Sequence, residues 1–91
     1  MKVLITYPCS ASTIIKYGMK SWPIWESEPS KFKWNYDDKE ICLILEGKAK
    51  ISTQKGGIFV IKAEDLVEFP AVFYCEWELT KSIEKHYRLG S

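Results

Sequence analysis

Apolar side chains recur at every second position along almost the whole of this chain, a period that suits strands and excludes long amphipathic helices. In residues 31–36, Phe32, Trp34 and Tyr36 alternate with Lys31, Lys33 and Asn35. The same pattern, or a short apolar run bounded by turn residues, predicts strands at 3–6, 24–26, 31–36, 41–45, 48–53, 58–62, 66–69, 73–79 and 83–89. Glu46-Gly47 and Lys55-Gly56-Gly57 offer hairpin turns, while Ala63-Glu64-Asp65 and Pro70-Ala71 interrupt pairing in other ways. Only residues 10–18 suit a helical turn. The expectation is an all-β sandwich or barrel.

A chain of 91 residues makes one domain, and its 46% hydrophobic and 14% aromatic content supplies the core that so short a chain needs. Thirteen basic residues against twelve acidic ones leave no field to attract nucleic acid or an anionic membrane. Lys31, Lys33, Lys48 and Lys50 share no face with a set of stacking aromatics and are read as solvated strand positions. The opening apolar run is too short for a secretory leader. Cys9, Cys42 and Cys75 are odd in number and widely spaced, which suits a reducing, cytoplasmic setting better than a disulfide framework.

Strand parity assigns faces, because successive side chains point to opposite sides. Phe32, Trp34 and Tyr36 are expected inside, as are Phe73, Cys75, Trp77 and Leu79, with Tyr74, Glu76 and Glu78 outside. The stretch 40–45 is apolar on both faces, since Ile41, Leu43 and Leu45 alternate with Glu40, Cys42 and Ile44. Either Glu40 enters the lumen and the leucine face is covered by another layer or a second subunit, or Glu40 lies at the rim. Parity leaves both open.

Glu40 is followed after six residues by Gly47, and the turn at Ala63-Glu64-Asp65 is followed by Pro70. These two spaced motifs resemble those of the cupins. With Trp22-Pro23-Ile24-Trp25-Glu26, Glu68-Phe69-Pro70 and Lys85-His86-Tyr87 in the same order, the chain looks like the small single-domain cupins related to ureidoglycine aminohydrolase and to the ethanolamine-utilisation cupin. The resemblance covers a motif-bearing core at 22–88, behind an N-terminal strand and short linker at 1–21. It implies a double-stranded β-helix, jelly-roll-like barrel, a homodimer, and a ligand pocket at one mouth. Metal-binding cupins hold manganese, iron or zinc with histidines and a glutamate. The histidine positions here correspond to Trp34, Tyr36 and Cys75, and the usual glycine of the second motif is Glu64. No cofactor is expected, with at most weak divalent metal binding through Glu40 and Cys75.

The candidate catalytic residues are Glu40, Tyr36 and Cys75. An acid desolvated in an aromatic lumen holds its proton more tightly and becomes usable in general acid or base work. Its structural alternative is a hydrogen-bonded carboxylate at the strand's wet end. Tyr36 would orient a ligand through a hydroxyl that needs a partner when buried, and Glu40 is one. Cys75 is either a nucleophile or a small buried hydrophobe among apolar neighbours. Trp34, Cys42, Phe73 and Trp77 are the candidate ligand-binding residues, the tryptophans by stacking and cation–π contact. A Cys42–Cys75 redox pair requires a geometry the sequence does not give. Trp22 and Trp25 cap the mouth or fill the core. His86 shares parity with Glu84 and Arg88, which reads as a solvated or interface face. The expected activity is binding of a small polar or nitrogen-containing metabolite, with metal-independent hydrolysis or proton transfer in which Glu40 is the base that accepts the proton. The alternatives are a non-catalytic accessory protein that assembles through Ile41, Leu43 and Leu45, and a metalloenzyme using Glu40, Cys75 and His86.

Overall fold

The computed structural model describes residues 3–54 and 56–90. Its strands are β1 (Leu4–Thr6), β2 (Ile24–Ser27), β3 (Lys31–Tyr36), β4 (Glu40–Thr53), β5 (Ile58–Lys62), β6 (Leu66–Phe69) and β7 (Phe73–Leu89), with one helix, α1 (Ala11–Tyr17), and a 3-10 turn at Met19–Ser21. All strands pair antiparallel in one seven-stranded sheet. The frame is β4 against β7, matched from Glu40 opposite Leu89 at one end to Thr53 opposite Cys75 at the other. One half of β4 also carries β6 and the other half β5, while β7 carries β3 and then β2. The long pair bends midway, so the sheet folds into two walls around one core. This is the expected double-walled all-β barrel.

The bend corrects two sequence readings. Glu46-Gly47 is not a hairpin turn, and 73–79 and 83–89 are not separate strands. Both long strands continue through register irregularities between Ile44/Glu46, Glu46/Lys48 and Lys48/Ala49. An extra residue in one strand strengthens twist and bends the pair without ending it. Gly47 sits there at φ 97°, where a β-carbon would collide with the backbone of Ser82 and Ile83. The Ala63-Glu64-Asp65 turn is made as expected, although Glu64 occupies a glycine conformation at φ 78°. Its amide donates to the Ile44 carbonyl (2.8 Å), its carbonyl accepts from the Cys9 amide (2.9 Å), and Asp65 Oδ2 accepts from the Lys62 amide (2.9 Å). Those bonds hold a side-chain-bearing residue in a region that ordinarily disfavours one.

Two apolar clusters follow. The inner one joins Cys42, Ile44, Ile51, Val67, Phe69, Trp77 and Ile83 across the two walls. The outer one places Met19, Trp22, Leu43 and Leu66 together, with Cys9, Ile14, Ile41 and Leu45 against them. Ser10 caps α1 by accepting from the Thr13 amide (3.2 Å), and Gly18 ends it in the left-handed conformation. The segment so formed lies on the outer face of β4. Leu43 is consequently buried under the chain's own N-terminal layer, while Ile41 and Leu45, offered with it as an assembly surface, are half-buried against the same layer. No helix among the described residues is long and apolar enough to cross a membrane.

Candidate functional site

Glu40 begins β4 between Phe69 of β6 and Leu89 of β7, and the fold turns its side chain inward. It is not alone there. Lys85 of β7, paired with Trp25 and Ile44, shares the inward parity of Ile83 and places Nζ 3.1 Å from Glu40 Oε2. Both side chains are under 10% exposed, at 8% for Lys85 and 6% for Glu40. The same Nζ lies 4.7 Å from the Trp77 ring centroid and 5.2 Å from that of Trp25, within cation–π range of both. The sequence reading of Glu40 as a lone acid among aromatic rings is therefore corrected to a buried ion pair. The parity of its cation was available in the sequence, where Lys85 alternates with Ile83 and Tyr87 opposite the Glu84, His86 and Arg88 face.

The aromatic rings are in register. Phe32 and Trp77 lie parallel at 6.1 Å, Trp25 meets Phe32 edge-on at 6.1 Å, and Tyr36 stacks on Phe69 at 4.7 Å. Between them opens a cavity of about 210 Å³, walled by Trp25, Phe32, Trp34, Tyr36 and Trp77 and completed by Tyr87, Leu89 and the Glu40–Lys85 pair. Among the residues that line it, Glu40 Oε1 and Trp77 Nε1 are buried without a partner at ordinary hydrogen-bond distance, although the Tyr36 phenol bears on the Glu40 carboxylate and the Trp77 indole on the Cys75 thiol. Glu40 also lines an outer cleft with Trp22 and Arg88.

The structure brings together Glu40, Tyr36, Trp34 and Trp77 among the residues singled out from sequence, and adds Lys85, Trp25, Phe32, Tyr87 and Leu89. Phe73, Cys42 and Cys75 lie outside the cavity wall. Phe73 stands behind Tyr36 and Phe69, 6.3 Å from each ring. Tyr36 is buried, and that burial, reinforced by the charge of Glu40, holds its phenol well above the usual range. It is a hydrogen-bond group, not a phenolate. Burial likewise pushes the Cys42 thiol up to about 12 and the Cys75 thiol up to about 11. Both are free thiols, so neither is poised as a nucleophile nor joined as a disulfide.

These thiols give a pH dependence. In the unfolded chain they lose protons near 9.0, whereas in the fold they keep them to about 11 and about 12. The unfolded state then binds fewer protons, and stability falls as pH rises through that window, by at most ~1.4 kcal/mol per pH unit for each thiol. Urea unfolding between about pH 8 and about pH 10.5 is expected to show a shallower decline for Cys42→Ala than for wild type. Parallel declines would contradict the assignment.

His86 is a correction. It is buried, not solvated, with Nδ1 2.9 Å from the Trp22 carbonyl. It lies opposite Leu43, on the outer face under the N-terminal layer, so it cannot join Glu40 and Cys75 in a metal site. Trp22 belongs to that layer too, while Trp25 enters the cavity. No group of three or more His, Cys, Asp or Glu side chains among the described residues is placed to hold a metal. Divalent manganese, iron and zinc prefer nitrogen, thiolate and carboxylate donors converging on one point. Here the nearest group to the carboxylate is an ammonium, and the donor set does not fit such an ion.

Comparison with known proteins agrees with this architecture. Residues 16–87 match the family described as EutQ-like cupin domain. A DUF861-family protein of Thermotoga maritima superposes with a TM-score of 0.93 at 40% identity, over 97% of this chain and 99% of that one. Ethanolamine-utilisation protein Q of Salmonella typhimurium LT2 gives 0.67 at 22% identity, over 74% of this chain and 54% of that chain. The EutQ protein of Clostridium difficile gives 0.67 at 16%, over 74% and 52%. The chain thus spans about half the length of these two EutQ proteins, and its likeness to them is one of fold. No curated protein matches it. Two motifs in order, an antiparallel two-walled barrel and a match over most of the sequence place this chain in the EutQ-like cupin domain family.

Proposed function

We propose that this protein binds a small polar, nitrogen-containing metabolite in the aromatic cavity, oriented by the free oxygen of Glu40. The observation that supports this most is that Glu40 lines the cavity and that its buried Oε1 has no partner at ordinary hydrogen-bond distance. A buried polar atom left unbonded costs about 1–3 kcal/mol, more when charged, and a ligand N–H or O–H recovers that loss. The aromatic walls supply stacking area. At about 210 Å³ the space falls below the ~300–1,000 Å³ of drug-sized sites, so the ligand is a small metabolite. The same oxygen is the candidate base for metal-independent proton transfer, with the Lys85 ammonium balancing charge beside it and Tyr36 serving as a hydrogen-bonding wall.

A thermal-shift screen of nitrogenous metabolites and divalent metals on wild type and Glu40→Gln tests this. A ligand at about a hundred times its Kd stabilises the fold by ~2.7 kcal/mol, several degrees in a domain of this size. The expected outcome is a metabolite shift that shrinks in Glu40→Gln, with no metal shift. A Glu40-dependent metal shift without any metabolite shift would overturn the reading.

A further inference from the structure

Taking the cavity as the binding site, we propose that it selects small uncharged molecules with a hydrogen-bond donor beside an acceptor, and that Lys85 sets this selectivity by holding the place an organic cation would take. An aromatic box with a carboxylate at its edge is the ordinary receptor for alkylammonium compounds. In this protein the cation is built in. The Lys85 ammonium lies over Trp77 and Trp25 at 4.7 and 5.2 Å and against Glu40 at 3.1 Å, so the two rings and the carboxylate that would attract a cationic ligand are already engaged. A second cation would meet like charge at close range beside low-dielectric aromatic walls. An anion gains little, because Glu40 already neutralises Lys85.

What the pair leaves unfilled defines the ligand. Glu40 Oε1 accepts and has no donor. An ammonium has three N–H groups, and one of those on Lys85 is committed to Glu40 Oε2. Both residues line the cavity, as does Trp77, whose buried Nε1 has no acceptor closer than the Cys75 thiol. A molecule whose donor meets Oε1 while its adjacent acceptor meets Lys85 or Trp77 satisfies these groups together, as an amide or lactam does and a simple amine or ketone does not. The volume equals that of roughly seven waters, enough for a compact compound of about six to ten non-hydrogen atoms.

Three rings of nearly equal size separate these features: δ-valerolactam carries donor and acceptor, cyclohexanone the acceptor alone, and piperidinium a positive charge. Each is titrated into the full chain while the indole N–H resonances of Trp25 and Trp77 are followed. In wild type the lactam is expected to bind at least about tenfold more tightly than either other ring. In Lys85→Ala the order inverts, with piperidinium gaining at least about tenfold because it restores the cation beside Glu40. Wild-type binding of piperidinium or cyclohexanone equal to that of the lactam overturns the selectivity while leaving the cavity as a site. Absence of a piperidinium gain in a folded Lys85→Ala overturns the role of Lys85, and if that variant does not fold, wild-type selectivity decides. Indole signals unmoved by all three probes at about 50 mM overturn this inference and the cavity reading together.

Discussion

Lys85→Met is expected to lower folding stability by about 3–5 kcal/mol, although the substituted side chain keeps most of the lysine's length and apolar stem. The cost arises at Glu40. That carboxylate is buried with one oxygen unpartnered, and its other oxygen accepts from Lys85 at 3.1 Å. Removing the ammonium leaves a buried charge beside aromatic rings without its counter-ion. Small domains have total stabilities of about 5–15 kcal/mol, so this single change consumes a large part of the margin. Lys85→Met combined with Glu40→Leu removes both charges and is expected to recover most of the loss, since a buried ion pair often contributes little net stability beyond what apolar residues of similar volume supply. Urea unfolding of the four proteins of this cycle measures the coupling, expected within the ~0.5–3 kcal/mol seen for contacting residues and towards the top of it. A single-variant loss below about 1 kcal/mol would show that the pair is not held as described.

Gly47→Ala is expected to be of similar severity, by about 2–5 kcal/mol, for a reason that has nothing to do with side-chain chemistry. Gly47 lies at φ 97°, which disfavours any residue with a β-carbon, and a β-carbon there would overlap the Ser82 carbonyl oxygen and crowd the Ile83 α-carbon. The conformational penalty is about 1–2 kcal/mol and overpacking adds about 1–3 kcal/mol. The obstructing atoms are backbone of the paired strand, so relief requires parting β4 from β7 at the bend that gives the barrel its two walls. Gly56→Ala is the control. Gly56 also has a positive φ, of 85°, but nothing lies within 4 Å of the added carbon, and a loss of only about 1 kcal/mol is expected. Thermal unfolding of the two variants separates these cases, and equal losses would contradict the close approach at Gly47.

Tyr36 and the inward set Cys75, Trp77 and Leu79 were legible because period two is a property of the backbone. Trp34, expected inside on the same parity, is instead 49% exposed and Phe32 half-buried, because β3 lies at the open mouth of the cavity. The bend was not. Glu46-Gly47 carries the composition of a hairpin turn, and what makes it a bulge is the close passage of Ser82, more than thirty residues away in sequence. Lys85 illustrates a different loss. Parity groups it with Ile83 and Tyr87, but lysine is so rarely buried without a partner that parity alone does not put it in the core, and the partner, Glu40, is 45 residues distant. His86 was misplaced for the complementary reason: the outer face of β7 was taken as open to solvent, and the layer carrying Met19 and Trp22 covers it. The resemblance to the cupins located the carboxylate correctly on its strand, while the chemistry around it depends on contacts that no spacing records.

The account stands or falls on whether the cavity beside Glu40 and Lys85 is where a ligand sits. The most direct measurement is a crystal structure of the protein with the compound that gives the largest Glu40-dependent thermal shift. The account predicts that compound between the Trp25, Phe32 and Trp77 rings, with a polar atom about 3 Å from Glu40 Oε1. A compound bound instead in the outer cleft beside Trp22 and Arg88, with the aromatic cavity untouched, would contradict it.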